Sequence, residues 1–190
     1  PESLRLEPLS PFGTPLFVFA TQGKQIRAYS VDSDRYYVGR ADRESLTLWL
    51  GIPIHPKLLV RILRGALPVI SPESRDAVRL AWDGEAGAWR MEVPPSGRMV
   101  LRQVAWLDRE TFWPHRVRLG EEGASLEVRY GDFKTLGTGR LPVWTEISDS
   151  RRDNRLRVSL MDETGGDGRP VPSSLFHLPI PPKAPVVILP

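Results

Sequence analysis

Leu126-Glu127-Val128-Arg129-Tyr130 alternates apolar and charged side chains without a break. A strand turns successive side chains to opposite faces, so this period of two describes a half-buried β-strand with Leu126, Val128 and Tyr130 on its dry side. The same rhythm runs outward in both directions. Upstream lie Val78, Leu80 and Trp82; Trp89, Met91 and Val93; Met99 to Leu107; and Trp113 to Leu119. Downstream lie Leu141 to Ile147, then Leu156, Val158 and Leu160. Asp83-Gly84, Glu121-Glu122-Gly123 and Asp153-Asn154 punctuate these strands as turns. Nearer the N-terminus, Leu4 and Leu6 form a short strand and Leu16 to Phe19 an apolar one. Ile26 to Ser30 and Arg35 to Gly39 make a hairpin across Asp32-Ser33-Asp34. The expected fold is mainly β: a long antiparallel meander forming a curved sheet, an incomplete or half barrel.

One segment departs from the alternation. Asp42 is a good N-cap, Arg43 to Leu50 make about two helical turns, and Gly51 suits the left-handed stop. Pro56 fits the first turn of a second helix that runs to Arg64, with Gly65 after it. On that helix Leu58, Leu59, Ile62 and Leu63 form one stripe and Lys57, Arg61 and Arg64 the opposite one. Two short amphipathic helices inserted in a meander must lay their apolar faces on the open side of the sheet, either as a plug in the core or as a lid over a cavity. After Pro170 the chain is rich in proline, which excludes a helix and disfavours a central strand. Val186 to Leu189 can add an edge strand there. The expected organisation is one domain over residues 1–165 and a proline-rich extension over 166–190 packed on it.

The 190 residues carry 41% hydrophobic and 26% charged side chains, enough for one hydrophobic core and too balanced for a disordered tail. Apolar runs such as Pro15–Ala20 fall far short of the ~20 residues of a membrane-spanning helix. With no cysteine there is no disulfide, thiolate metal site or cysteine nucleophile. His55, His115 and His177 stand far apart, and no HExxH, GxSxG, Walker or dinucleotide motif is present. Asp162 to Gly168 lacks the oxygen spacing of a calcium loop and reads as an acidic hairpin. The sequence therefore names no catalytic residue, metal or cofactor. Arg116, Arg118, Arg151, Arg152, Arg155 and Arg157 can form a stripe on one sheet face, but interspersed acids and the net charge of only +3 argue against a nucleic-acid partner.

Three stretches in order carry a family resemblance. They are Leu9-Ser-Pro-Phe-Gly-Thr-Pro-Leu-Phe-Val-Phe19, then Leu50-Gly-Ile-Pro-Ile-His-Pro-Lys-Leu-Leu-Val-Arg-Ile-Leu-Arg-Gly65, and then Glu127-Val-Arg-Tyr-Gly-Asp-Phe133 with Leu141-Pro-Val and the Arg155–Met161 strand. Together they resemble the LolB outer-membrane lipoprotein receptor within the LolA/LolB lipoprotein-carrier superfamily, over roughly residues 3 to 161. The resemblance implies a curved sheet around an apolar cavity that holds acyl chains, without enzymatic activity. Its implied partners are lipoproteins or lipids, a periplasmic LolA-like carrier and the outer-membrane surface. Its implied location is the periplasmic face of the outer membrane in a bacterial envelope. It further implies an N-terminal helix, first strands and a lipid-bearing cysteine upstream of Pro1. Phe12, in the tight turn Pro11-Phe12-Gly13, matches a membrane-touching leucine of that family and is expected either to protrude or to fold back as a plug. The implied acyl-chain cavity is lined by Phe17, Phe19, Leu46, Trp49, Leu50, Leu58, Leu59, Ile62 and Leu63, with Trp106, Val128, Tyr130, Val143 and Val158 from the sheet. Strand parity then leaves Leu16 and Val18 facing outward, where they need a cover. The other expectation is an interaction module of the envelope with a filled core and no lipid.

Overall fold

The computed structural model describes residues 3–67, 78–95, 102–121, 124–136, 139–159 and 172–189. Twelve strands occur there: β1 (Leu4–Leu6), β2 (Phe17–Gln22), β3 (Gln25–Ser30), β4 (Arg35–Arg40), β5 (Arg79–Asp83), β6 (Ala88–Val93), β7 (Gln103–Leu107), β8 (Pro114–Glu121), β9 (Ala124–Leu136), β10 (Gly139–Asp149), β11 (Asn154–Ser159) and β12 (Val186–Ile188). Two helices, α1 (Arg43–Leu50) and α2 (Pro56–Leu63), separate β4 from β5. The fold is mainly β, as the alternation predicts. Its strands divide between two open sheets instead of running as one meander, and neither sheet closes into a barrel. The expected Met99 end of β7 and the acidic 162–168 hairpin lie outside the described residues. The chain forms two compact units, Pro1–Val60 with Gly166–Pro190, and Arg61–Gly165.

In the first unit the sheet order is β1-β2-β3-β4-β12, antiparallel except for β12, which runs parallel to β4. The proline-rich segment reaches that edge after a single 3-10 turn at Ser173–Phe176. The Tyr36 amide donates to Pro185 O at 2.9 Å and the Leu189 amide to Val38 O at 2.8 Å. Tyr36 is fully buried, and its hydroxyl donates to Leu178 O at 2.5 Å. Leu178 joins Ala20 and Tyr36 in a small core against which Val18, Tyr29, Val38 and Ala184 pack. The C-terminal segment is thus the cover that Val18 needs, while Leu16 stays exposed.

α1 begins and ends where its caps dictate. The Asp42 carboxylate accepts from the Ser45 amide at 2.9 Å, and Gly51 stops the helix at φ 71°. The amide hydrogen bonds also hold the Asp42 carboxyl below the usual carboxylate range. α2 ends one residue before the expected Arg64. Gly65 follows at φ +68°, where an added Cβ would stand 2.7 Å from the Phe133 ring and 3.0 Å from Pro142 Cδ. The helix end is therefore seated on β9 and β10, and the Tyr130 hydroxyl donates to Ala66 O at 3.3 Å.

The second unit holds the antiparallel sheet β11-β10-β9-β8-β7-β6-β5, a meander in strict chain order. Directly opposed residues build two faces. Leu80, Met91, Ala105, Val117, Val128, Ile147 and Leu156 form one continuous apolar row across all seven strands. The other face carries the alternating charged residues, such as Arg116 opposite Arg129 and Glu146 opposite Arg157.

Candidate functional site

The apolar row of the large sheet is covered in its middle and open at one end. Ala105, Val117, Val128 and Ile147 have essentially no accessible surface, whereas Leu80 on the edge strand is 53% exposed. Beside Leu80 on the same face, Trp82 stands directly opposite Trp89, with ring centroids 5.5 Å apart in a T-shaped pair. Trp82 is 46% exposed, and Phe112, stacked on Trp89 at 6.3 Å, is 52% exposed. Leu80, Trp82, Trp89 and Phe112, with half-buried Met91, make one continuous apolar surface that meets solvent.

The β7–β8 loop places Phe112 there. The Asp108 carboxylate accepts from the Glu110 and Thr111 amides and from the Thr111 hydroxyl, at 2.7–3.1 Å. Those bonds hold its carboxyl below the ordinary range and fix a turn in which Phe112 takes the left-handed φ of 56°. A phenylalanine pays ~1–2 kcal/mol for that backbone conformation, so the surrounding loop bonds must enforce it. A cleft of about 280 Å³ opens on one side of Trp113, between His115, Tyr130, Phe133 and Arg140. A second, of about 420 Å³, lies between Gly65, Ala66, Phe112, Trp113 and Pro114. Burial pushes the His115 imidazole below its usual range, against the opposing influence of Asp108, and burial raises the Tyr130 phenol. Both groups are therefore neutral near pH 7, and the charged lining comes from Asp108, Asp132 and Arg140 in the first cleft and Arg61 in the second.

The residues expected to line one cavity fall into three groups. In the first unit Phe17 lies 6.1 Å from Phe19 and 5.2 Å from Trp49, whose ring is 5.1 Å from Tyr37. Leu50 and Leu58 are half-buried, and Leu46 and Leu59 fully buried. In the second unit Val128 and Tyr130 share the apolar face with Val158, which stands in register with Thr145 and Tyr130. Val143 and Leu63 are half-buried and Ile62 fully buried. No water-sized space touches Phe19, Leu46, Leu59, Ile62 or Val128, so these side chains are packed core and line no opening. Trp106 is on the other face altogether. It opposes Arg116, and the Arg116 and Arg118 guanidinium groups lie 4.5 and 5.4 Å from its ring. All five residues of β7 are buried, so no alternation was available to reveal which way Trp106 turns. Leu80, Trp82, Trp89, Met91 and Phe112 were missing from the expected site. The alternation of the first four in β5 and β6 is legible, but which end of the face stays open, and that the Phe112 loop joins it, is not.

In the first unit Pro11, Phe12 and Gly13 form an exposed tip, and Phe12 is 94% exposed. Ser10 builds the tip: its hydroxyl accepts from the Phe12 and Thr14 amides and its carbonyl from the Gly13 amide at 2.9 Å. Gly13 supplies φ 79°. Leu9 pairs with Pro15 below the tip, and both Leu9 and Leu16 are more than half exposed. Phe12 protrudes and does not fold back.

No family model and no curated protein matches the chain. Among solved structures it is similar to a putative outer membrane lipoprotein-sorting protein domain from Vibrio parahaemolyticus, at 13% identity and a TM-score of 0.45, over 85% of this chain and 69% of that one. It is also similar to a LolA superfamily protein from Nitrosomonas europaea, at 9% identity and a TM-score of 0.41, over 89% of this chain and 73% of that one. The chemistry of the site is accordingly read from its own residues.

Proposed function

We propose that this chain is a non-enzymatic binder of acyl chains that delivers lipid or lipoprotein to a membrane. The observation that carries the reading is the uncovered end of the apolar sheet face, where Leu80, Trp82 and Phe112 are each about half exposed on a continuous hydrocarbon surface. Each methylene moved from water onto such a surface gains at most ~0.8 kcal/mol. A chain of a dozen carbons therefore binds without any polar contact, and leaves only for an equally apolar destination. The Phe12 tip supplies a membrane contact. Burying one Phe yields about 1.5–3 kcal/mol, enough for transient insertion and too little for permanent attachment, which suits a release step. The ordered motifs that resemble LolB agree with this role. On that reading the site of action is the periplasmic face of a bacterial outer membrane, with lipoproteins and a LolA-like carrier as partners. The fully buried Phe19, Leu46, Leu59 and Ile62 favour the alternative, an interaction module with a filled core, only for the part of the molecule they occupy.

Native mass spectrometry and lipid extraction of the purified chain test the reading: acyl species should co-purify. Phe12→Glu should lose association with liposomes about tenfold or more, from the Phe transfer energy, and keep its unfolding midpoint because Phe12 has almost no packing to lose. Absence of bound acyl species, with no uptake of an added fatty acid, would sink the proposal.

A further inference from the structure

The charged face of the large sheet concentrates the molecule's excess positive charge. Along β8 to β11 the registers place Arg116, Arg118, Arg129, Arg155 and Arg157 on one face with only Glu127 and Glu146 as acids. That sector has a net charge of +3, equal to the net charge of the whole chain, so the remainder is balanced. The Glu127 carboxylate takes Arg116 at 2.6 Å and Arg129 at 2.8 Å, with Arg118 at 4.0 Å, three cations around one anion. Arg155 reaches Glu146 only at 3.8 Å, and its side chain is 69% exposed.

Arg157 is held differently. Gly131 has no side chain, and the Trp144 indole lies in the space one would fill: a Cβ there would be 1.8 Å from Trp144 Nε1. The Arg157 guanidinium stacks on that indole, 4.6 Å from its centroid, and makes no ion pair among the described residues. Stacking leaves the N–H edges of a guanidinium pointing outward, in the fork geometry that fits a phosphate. Among the described residues β11 is the edge strand of the sheet, and none of them pairs on its far side beside these arginines.

We infer that this face, centred on Arg155, Arg157 and the Trp144 platform, docks on an anionic phospholipid surface. Charge complementarity selects that occupant. Five arginines on three of these four strands, ~5 Å between neighbouring strands and ~7 Å between alternate residues along one, present a lattice of donors without a groove. That suits a sheet of phosphates better than one shaped ligand. The inference concerns a site separate from the apolar face and the Phe12 tip, and does not need either to bind lipid.

Sedimentation of the full chain with vesicles of phosphatidylcholine alone, and of phosphatidylcholine mixed with phosphatidylglycerol, tests it. Binding should rise with phosphatidylglycerol and fall with added salt. R155Q/R157Q should weaken binding to the mixed vesicles about thirtyfold, the equivalent of about 1 kcal/mol for each arginine at an anionic surface. R155K/R157K keeps the charge but loses the fork and the stacked plane, and should recover only part of it. K24Q/R43Q removes the same charge from exposed positions elsewhere and should bind as the parent does. Phe12→Glu should lower binding to both vesicle types, whereas R155Q/R157Q should leave phosphatidylcholine binding unchanged, so failure of one site is distinguishable from failure of the other. Equal losses in R155Q/R157Q and K24Q/R43Q, or none in R155Q/R157Q, would overturn the inference. So would indifference to phosphatidylglycerol combined with salt-sensitive retention on immobilised polyglutamate, which would assign the face to an acidic polypeptide.

Discussion

Phe112 combines two measurable properties, an exposed ring on the apolar surface and a left-handed backbone, and two substitutions separate them. Its ring is 52% exposed. An aromatic side chain offers ~200 Å² of burial, so roughly 100 Å² remains for a ligand to cover. At ~25 cal/mol per Å² that is about 2.5 kcal/mol, or a roughly sixtyfold change in affinity. Phe112→Ala and Phe112→Gly both remove the ring, and both should weaken uptake of a fluorescent fatty acid by that factor. Their stabilities should differ. At φ 56° alanine keeps a strain of ~1–2 kcal/mol that glycine does not feel, and glycine gives back ~0.4–1 kcal/mol through its freer unfolded chain. In urea unfolding, Phe112→Gly should therefore be the more stable of the two by about 0.5–1 kcal/mol. That order is the reverse of the one found in helices. Unchanged fatty-acid affinity in both variants would refute the acyl-binding surface. A more stable Phe112→Ala would refute the argument from the loop backbone.

Tyr36→Phe removes a donor that ties the C-terminal segment to β4, leaving the buried Leu178 carbonyl without that partner. A cost of about 1–3 kcal/mol is expected, and limited proteolysis should cut within 172–185 faster than in the parent. Glu127 governs an acid-sensitive part of stability. Burial by itself would raise its pKa, but hydrogen bonds from Arg116 and Arg129 outweigh burial and hold it below the ordinary 4.5. A depressed carboxylate contributes stability that is complete above its unfolded pKa and is lost as pH falls through the folded value. Unfolding midpoints should thus drop between pH 6 and pH 3 in the parent, and Glu127→Gln should flatten part of that drop; identical pH profiles would contradict the assignment.

The amino-acid order alone determined the local elements, because their causes are local. Asp42 and Gly51 bound α1, proline at position 56 starts α2, and alternation writes out the strands from Leu80 to Val158. The turn that carries Phe12 was also legible, since Ser10 and Gly13 build it within five residues, whereas the choice between a protruding and a folded-back ring was not. Tertiary structure decided what no short window contains. The C-terminal segment returns to cover Val18, from more than 150 positions away in the chain. Trp106 turns to the charged face because its register with Arg116 sets its direction, and an uninterrupted buried strand carries no parity of its own. Which part of the apolar face stays open depends on what packs over each residue, so Leu80 and Val128 read alike in sequence and end half exposed and fully buried. Pattern assigns a side chain to a face; only packing determines whether that face is covered.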